Sequence, residues 1–178
     1  MEKYSVIYSS RSGNTKILAG QIIRILGTED NVCFKEIRKM VGEKEVLDKV
    51  KESSIIFLGF WTDKGKCDEE MQEVIKKINH KKIYLFGTAG FGKDINYFNQ
   101  IVERVKDNID KSNQIIGQFM CQGKMPMVVK KRYEEMLVSD PEDQKSKLML
   151  QNFDEALKHP SKEDLDSFEI DLKKRINI

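Results

Sequence analysis

The sequence predicts an α/β protein built on a doubly wound parallel sheet of five strands, and two observations lead to this prediction. First, five short runs of β-branched, aromatic and other apolar residues recur along the first 120 or so residues. Second, segments with helical apolar spacing lie between these runs. Strands that alternate with helices are typical of βαβ units, whose helices cover both faces of a parallel sheet. The predicted strands are Tyr4–Tyr8, Val32–Ile37, Ile55–Phe60, Ile83–Phe86 and Ile115–Met120.

The segments between the strands carry apolar residues at positions i, i+3, i+4 and i+7, which predicts helices with one face on the sheet. The clearest of them follows Asp68, a predicted N-cap. The predicted apolar stripes are Ile17, Ile22, Ile25 and Leu26; Met71, Val74, Ile75 and Ile78; and Ile95, Phe98, Ile101, Val102 and Val105.

After the fifth strand the sequence changes character, with few strand signals and many charged residues. The long connection from Gly123 to Pro160 contains two helical patterns, around Val128–Leu137 and Asp143–Leu157. A connection of this length is more often a functional lid or an interface element than a linker. Ser161 and Asp164 then predict the capped start of a last sheet-covering helix. The apolar face predicted for that helix is Leu165, Phe168, Ile170, Leu172 and Ile176.

The long connection begins with an apolar segment, Met125-Pro126-Met127-Val128-Val129. Methionine-rich segments suit irregular surfaces and interaction partners, because the side chain is flexible and polarisable. Packing over the sheet edge is an equally good interpretation, and a lid over a small organic substrate is a third. These alternatives stay open on the sequence alone.

Length and composition predict one globular domain over residues 1–178, with a core of 1–123, a helical extension of 124–160 and a final helix of 161–178. The chain has 178 residues, of which 39% are hydrophobic and 34% charged. The longest strongly apolar run, Ile55 to Trp61, is too short to span a membrane, and no signal-peptide pattern opens the chain. We therefore expect a cytoplasmic protein that is a monomer or a weak dimer.

Cysteine spacing and charge exclude several classes of site and partner. Cys33, Cys67 and Cys121 form no C-x-x-C pair, so neither a disulfide framework nor a metal site is predicted. The net charge is only +2, and the charges are spread along the whole chain, which argues against nucleic acid as a partner. The histidines, His80 and His159, form no Ser-His-Asp arrangement that would predict a catalytic residue.

The loop after the first strand, Ser9 to Thr15, has the composition of a phosphate site. Open parallel sheets bind ligands beyond the carboxyl ends of their strands. Here hydroxyl groups, an amide and a glycine precede a helix, whose first N–H groups favour an anion. The alternative is an ordinary loop in which Ser12 or Asn14 caps the helix. No Walker A or G-x-G-x-x-G pattern occurs, which disfavours nucleoside triphosphates and a Rossmann-type NAD site.

The motif Ser10-x-Ser12-Gly13-Asn14-Thr15 resembles the FMN phosphate loop of the flavodoxin family. Two later loops extend the resemblance: Gly59–Gly65 and Gly87–Gly92 lie where flavodoxins place their isoalloxazine-binding loops. The resemblance covers about Lys3 to Gly123 and the last helix, and it implies the strand order 2-1-3-4-5 and a noncovalently bound FMN. The residues that it places at the cofactor are Ser10, Arg11, Ser12, Gly13, Asn14, Thr15, Phe60, Trp61, Thr62, Gly65, Thr88, Ala89, Gly90, Phe91 and Gly92.

The two later loops also suit a flavin on physical grounds. Trp61 lies at the mouth of the sheet, where an exposed indole ring favours stacking on a ligand; packing against the following helix is the alternative. Phe91, between two glycines, is the weaker stacking candidate. A peptide at Gly65 can flip at little cost and present its carbonyl to N5 of a one-electron-reduced flavin, as the resemblance implies; a passive Lys64-Gly65 turn is the alternative. Cys121 is interpreted as a buried structural thiol.

The resemblance implies an electron carrier that passes single electrons to a larger reductase. Many flavodoxins are strongly acidic, whereas the rim predicted here is mainly basic, which favours a partner with an acidic docking face. The alternatives are an NAD(P)H-dependent FMN or quinone reductase, an enzyme resembling the flavodoxin-like protoporphyrinogen oxidases, and a binding module without flavin. The predicted rim residues are Arg11, Lys64, Lys66, Lys93 and Lys124, against Asp63, Asp68 and Asp94.

Overall fold

The computed structural model describes residues 3–27, 32–37, 43–92 and 94–177. Lys93 and the side chain of Cys33 lie outside the described residues. The strands are β1 (Tyr4–Tyr8), β2 (Val32–Glu36), β3 (Ile55–Asp63), β4 (Lys66–Cys67), β5 (Lys82–Ala89) and β6 (Gln114–Gln122). The helices are α1 (Asn14–Leu26), α2 (Glu43–Glu52), α3 (Glu69–Ile75), α4 (Ile95–Lys106), α5 (Met127–Ser139), α6 (Gln144–Ala156) and α7 (Lys162–Ile176). None of these helices is both long and apolar enough to cross a membrane.

The five long strands form a parallel sheet in the order β2-β1-β3-β5-β6. This confirms the predicted order 2-1-3-4-5, because β4 is a two-residue strand that pairs only with the end of β3. Strands β3, β5 and β6 run two or three residues past their predicted carboxyl ends. The polar residues there break the apolar pattern but still pair with neighbouring strands. The strand order reverses at β1, which places the ligand-binding crevice of this topology beside it.

Helices cover both faces of the sheet, as the apolar runs predicted. One buried cluster joins the sheet to α2, α3 and α4, and the other joins it to α1 and α7. The central strands are therefore buried on both sides, which explains why their sequences are almost continuously apolar.

Two glycine–phenylalanine pairs bring β3 and β5 together near the carboxyl ends. Gly59 pairs in register with Phe86, and Phe60 pairs with Gly87. A Cβ atom at Gly59 would lie 2.3 Å from the Phe86 ring, and one at Gly87 would lie 2.8 Å from the Phe60 ring. Each glycine thus leaves the space that the opposite ring fills, with Phe60 in one core cluster and Phe86 in the other.

The capping predictions are confirmed. The Asp68 carboxylate accepts a hydrogen bond from the Met71 N–H at 3.2 Å and caps α3. Ser161 and Asp164 form a reciprocal capping box at the start of α7. Helix α3 ends at Ile75, so the buried Ile78 lies beyond it.

Three residues predicted on buried helix faces are exposed, so their assignment is wrong. Ile17 of α1 is 43% exposed, Ile95 of α4 is 66% exposed and Ile170 of α7 is 70% exposed. Each of these residues lies off the side of its helix that the buried residues define. In α1, for example, Leu18 and Ala19 are buried next to the exposed Ile17.

The predicted helical patterns of the extension are confirmed as α5 and α6, which pack against each other. Helix α6 inserts Phe153 and Ala156 into the interior, and both side chains are fully buried. Helix α5 has no buried residue. The extension is therefore anchored through α6, which holds α5 at the surface.

Candidate functional site

The loop between β1 and α1 ends in a left-handed glycine. Gly13 is the N-cap of α1 with φ 85°, a conformation that residues with a Cβ atom adopt at a cost. The Ser10 hydroxyl accepts a hydrogen bond from the Lys16 N–H at 3.3 Å. Capping by Ser12 or Asn14, the alternative considered from the sequence, is wrong. The N–H groups of the first helical turn have no acceptor within the helix, so they suit an anion at this loop.

Asn14 and Thr15 brace the ends of neighbouring strands. The Asn14 amide donates to the Ser12 hydroxyl at 2.9 Å and to the Lys124 carbonyl at 2.8 Å. The Thr15 hydroxyl lies 3.2 Å from the Phe60 carbonyl, to which it donates, and 3.1 Å from the Thr88 hydroxyl. Thr15 is fully buried. These side chains therefore hold the loop after β1 against the carboxyl ends of β3 and β5 and against the segment after β6.

The loop after β1, the ends of β3 and β5 and the segment after β6 enclose a cleft of about 350 Å³. It lies at the carboxyl ends of the strands, where the topology places ligands. Ten of the residues predicted at the cofactor line it: Arg11, Ser12, Asn14, Trp61, Thr62, Gly65, Thr88, Ala89, Gly90 and Phe91.

Five other predicted residues lie beside the cleft rather than along its wall. Gly13 forms the left-handed cap and Thr15 braces the loop from below. The Phe60 side chain is fully buried in the core and contributes only its carbonyl group. Ser10 lines a neighbouring hollow, and Gly92 has φ 112° and leaves room for the Tyr97 ring.

The cleft has a second wall, which belongs to the helical extension. The segment read from the sequence as an apolar patch or lid provides Met125, Pro126, Val128 and Val129 to this wall. Tyr97, in the first turn of α4, also lines the cleft and was missed. Its only sequence signal was its place just after the glycine-rich loop.

One buried polar atom in the cleft has no partner. Among the described residues, Thr62 Oγ1 is the one buried side-chain polar atom that has no hydrogen-bond partner. An unsatisfied buried hydroxyl costs about 1–3 kcal/mol. A polar group of a ligand in the cleft would provide the missing partner, so the residues present fit a ligand with heteroatoms at this position.

The Trp61 ring is half-buried and is contacted by a cation. The Arg11 guanidinium carbon lies 5.3 Å from the ring centroid, within the range of a cation–π interaction. Such a contact contributes about 0.5–1 kcal/mol at an exposed site. A planar ring would compete with the guanidinium for the indole face at modest cost.

Lys64 and Gly65 form the two-residue turn that joins β3 to β4. Their φ angles of 48° and 80° are both positive, as a type I′ hairpin turn requires. The Gly65 carbonyl accepts a hydrogen bond from Arg104 Nη1 at 3.0 Å. A flip of this peptide toward the cleft would have to break that hydrogen bond. The net contribution of such a bond to stability is about 0.5–1.5 kcal/mol.

The Gly90 carbonyl is held by two side-chain amides. The Gln122 and Asn152 side-chain amides each donate to it at 3.0 Å, and Gln122 Nε2 also donates to the side-chain oxygen Asn152 Oδ1 at 3.0 Å. Because the peptide unit is planar and trans, this contact also fixes the direction of the Phe91 N–H. Helix α6 thus positions the loop that lines the cleft, which the sequence did not reveal.

We expect Asn152→Leu to loosen this loop. The substitution removes one of two donors to a part-buried carbonyl, so the free energy of unfolding should fall by about 1–2 kcal/mol. Amide exchange at Gly90 and Phe91 should become faster. The matched control is Gln151→Leu, at the exposed neighbouring position of α6. Urea denaturation and hydrogen exchange test this prediction, and equal behaviour of the two variants would contradict it.

An acidic hollow of about 430 Å³ lies beside the cleft and shares Arg11 and Trp61 with it. Its carboxylates include Asp63 and the buried Asp68. The Ser9 hydroxyl donates to Asp68 Oδ2. Burial raises the pKa of the Asp68 carboxyl, although the hydrogen bonds from Ser9 and from the Met71 N–H oppose this effect.

We expect Asp68→Asn to change how stability depends on pH. A carboxyl group whose pKa is raised by folding binds more protons in the folded state than in the unfolded state. Its contribution to stability is therefore lost as pH rises from the unfolded pKa, about 3.9, through the raised value. The free energy of unfolding of the parent, relative to D68N, should fall over this window. Urea denaturation between about pH 4 and about pH 8 measures the difference.

The control for this prediction is Glu73→Gln, at an exposed position of the same helix. If the parent, D68N and E73Q give parallel pH profiles, the pKa of Asp68 does not contribute to stability as described.

The two described cysteines are buried, and their thiols are unreactive. Burial, assisted by the neighbouring Asp68 charge, raises the pKa of the Cys67 thiol to about 12. Burial likewise raises the pKa of Cys121 above its ordinary value. Cys121 packs in the core rather than along the cleft. This agrees with its interpretation as a structural thiol.

A larger hollow, about 560 Å³, lies at the opposite end of the sheet between α2 and the start of β5. Two of its lysines are already engaged. Lys81 Nζ donates to the carbonyls of Lys51 and Ser53 at 2.7 and 2.9 Å, and Lys51 Nζ lies 3.0 Å from Asp48. It therefore makes a poorer candidate than the cleft at the carboxyl ends.

The profile of the flavodoxin domain family matches residues 5–171. The flavodoxin-like domain-containing protein BilS of Clostridium symbiosum is 37% identical over 175 residues, which cover 94% of this chain and 92% of the relative. BilS of Clostridioides difficile is 36% identical over 163 residues, covering 92% and 90% of the two chains.

Solved structures agree in fold. The Trp repressor binding protein of Bacillus subtilis superposes with a TM-score of 0.57 at 12% identity, covering 74% of this chain and 94% of that chain. The WrbA-like flavodoxin of Agrobacterium tumefaciens gives a TM-score of 0.55 at 10% identity, with coverage of 96% and 99%.

Proposed function

Because the chain belongs to the flavodoxin domain family, we propose that it binds FMN noncovalently in the cleft and carries single electrons to a partner reductase. One observation supports this most strongly. A single cleft brings together three loops that are far apart in sequence, with a helix N-terminus on one side and two aromatic residues, Trp61 and Phe91, on another. This arrangement suits a ligand with a phosphate at one end and a planar ring at the other.

The phosphate would be held by the loop around Gly13. The first N–H groups of α1 and the hydroxyls of Ser10 and Ser12 are its donors, and each charge-assisted hydrogen bond contributes about 1.5–3 kcal/mol. The Thr15 hydroxyl takes a bracing role instead, since it is buried between the Phe60 carbonyl and Thr88.

The ring would lie between the loops after β3 and β5. Trp61 and Phe91 offer apolar faces, and the Thr62 hydroxyl offers an unpaired polar group. Bound FMN supplies a centre that accepts and donates electrons one at a time. Arg11 and Lys64 in the cleft wall favour a negatively charged form of the ligand.

A second candidate is a flavoenzyme on the same cleft, either an NAD(P)H-dependent FMN or quinone reductase or a protein resembling the protoporphyrinogen oxidases. The observation that favours it is the apolar wall formed by Met125, Pro126, Val128 and Val129. Such a wall beside the ring site suits a small organic substrate.

The decisive experiment is a fluorescence titration of the flavin-free protein with FMN, with riboflavin as the matched ligand that lacks the phosphate. We expect FMN to bind at least about 100-fold more tightly, which corresponds to about 2.7 kcal/mol from the phosphate loop. Equal affinity for the two ligands would contradict the proposed site, and no binding of either would contradict the proposed function.

Stopped-flow mixing then separates the two candidates. A carrier should oxidise NADH or NADPH negligibly and accumulate one-electron-reduced flavin during anaerobic titration with dithionite. Rapid turnover with a reduced nicotinamide and direct two-electron bleaching would favour the enzyme instead.

A further inference from the structure

The N-terminal turn of α5 places apolar side chains in solvent at the mouth of the cleft. Met127 is 62% exposed and Val128 is 69% exposed, and Val128 also lines the cleft. Burying a side chain of this kind stabilises a protein or a complex. These two residues are adjacent and continue the apolar cleft wall outward, unlike isolated apolar residues on an ordinary surface.

This exposed turn is held in place by α6. Lys130 Nζ lies 3.3 Å from Asp154 and 5.7 Å from the centroid of the Phe153 ring. Phe153 is itself fully buried. Helix α5 is thus fixed through Lys130, and Met127 and Val128 remain exposed and available for contact.

The charged residues that line the cleft itself are all of one sign. Its charged lining residues are Arg11, Lys64 and Lys124, and no carboxylate lines it. Within the described ranges, none of these three cations forms a salt bridge. Asp63 lines the neighbouring hollow, which shares Arg11 and Trp61 with the cleft.

We propose that Met127, Val128, Arg11, Lys64 and Lys124 form a docking surface for an acidic redox protein. The apolar pair contacts the centre of the partner's face, and the three cations pair with carboxylates around it. The proposal rests on the proposed function, because the partner exchanges electrons with FMN held in the cleft. In each encounter one electron passes from reduced FMN to a one-electron acceptor such as ferric haem, which becomes ferrous, and the flavin proton goes to water.

Other occupants fit this surface less well. A second copy docked face to face would oppose the same three cations, and like charges in contact disfavour such a dimer. An anionic membrane is flat, whereas these cations line the wall of a concave cleft.

The test uses the FMN-loaded protein and two haem proteins of opposite charge, the acidic haem domain of cytochrome b5 and the basic cytochrome c. Binding is mapped by NMR on the ¹⁵N-labelled protein at about 20 and about 300 mM ionic strength. We expect binding of cytochrome b5 to weaken at least about 10-fold at the higher ionic strength, with shifted signals at Lys124, Met127 and Val128. Cytochrome c should bind more weakly than cytochrome b5 at low ionic strength.

The variant pair is Val128→Glu at the cleft mouth and Val138→Glu at the far end of the same helix, where the side chain is 83% exposed. V128E should weaken binding of cytochrome b5 and slow electron transfer to it by about 10-fold. V138E should keep the affinity and the electron-transfer rate within about twofold of those of the parent protein. FMN affinity is measured for both variants, which separates a docking defect from failure of the flavin site.

Three results would overturn the proposal: preference for cytochrome c, equal effects of V128E and V138E, or signals that shift away from the cleft mouth. Self-association through α5 in sedimentation, or tighter binding to phosphatidylglycerol vesicles than to cytochrome b5, would assign the surface to another occupant and would also overturn it.

Discussion

Gly13→Ala is expected to weaken FMN binding by about 100-fold, because the added Cβ atom disfavours the left-handed backbone that opens α1. No atom lies within 4 Å of the position that this Cβ would take, so the effect comes from the backbone alone. Relaxation of the loop turns N–H groups away from the phosphate. Loss of one or two charge-assisted hydrogen bonds, at about 1.5–3 kcal/mol each, accounts for the expected change in affinity.

Gly20→Ala is the matched control, since Gly20 lies in the same helix with open space around it and an ordinary backbone conformation. Alanine there should raise the free energy of unfolding by about 0.5–1 kcal/mol, whereas alanine at Gly13 should lower it by about 1–2 kcal/mol. Urea denaturation without ligand gives these signs, and titration with FMN gives the affinities. Unchanged FMN affinity in G13A would contradict the role assigned to the loop.

Phe168→Ala is expected to have the largest effect on stability, a loss of about 3–5 kcal/mol in the free energy of unfolding. The side chain is fully buried, and its ring centroid lies 4.8 Å from that of Phe119, 5.9 Å from that of Phe86 and 6.1 Å from that of Tyr84. Its removal leaves a cavity where α7 meets the sheet. Since total stability of a domain is about 5–15 kcal/mol, the variant should unfold at much lower urea concentration.

The matched control is Ile170→Ala, two residues further along α7, where the side chain is 70% exposed. Its unfolding free energy should stay within about 0.5 kcal/mol of the parent. Circular dichroism during urea denaturation measures both variants. Similar losses for F168A and I170A would mean that α7 does not dock as described.

Much of the fold could be predicted because its signals are local. The strand at Tyr4–Tyr8 and the capping box of Ser161 and Asp164 depend on residues a few positions apart, whose periodicity and hydrogen bonds follow from backbone geometry. The loop Ser10–Thr15 could be recognised for the same reason, since its donors are adjacent in sequence. The turn at Lys64–Gly65, the alternative considered from the sequence, also has a local signal, because a two-residue turn favours glycine.

The contacts that shape the candidate site could not be predicted in this way. The Thr15 and Thr88 hydroxyls are 73 residues apart in sequence, and Asn152 and the Gly90 carbonyl are 62 residues apart. These two contacts form because of the twist of the sheet and the position of α6. A local sequence pattern predicts neither. Ile170 is a failure of another kind: it lies two positions, or about 200°, from both Phe168 and Leu172, so the 3.6-residue period itself places it opposite the buried face.

The sequence alone therefore determined the order of strands and helices and the chemical character of the first ligand loop, since both arise from short-range periodicity and adjacent residues. The tertiary structure alone decided that the extension forms one wall of the cleft, that Thr15 braces rather than faces it, and that only cations line it. Those features depend on side chains brought together across the sheet, where packing of distant elements sets the distances.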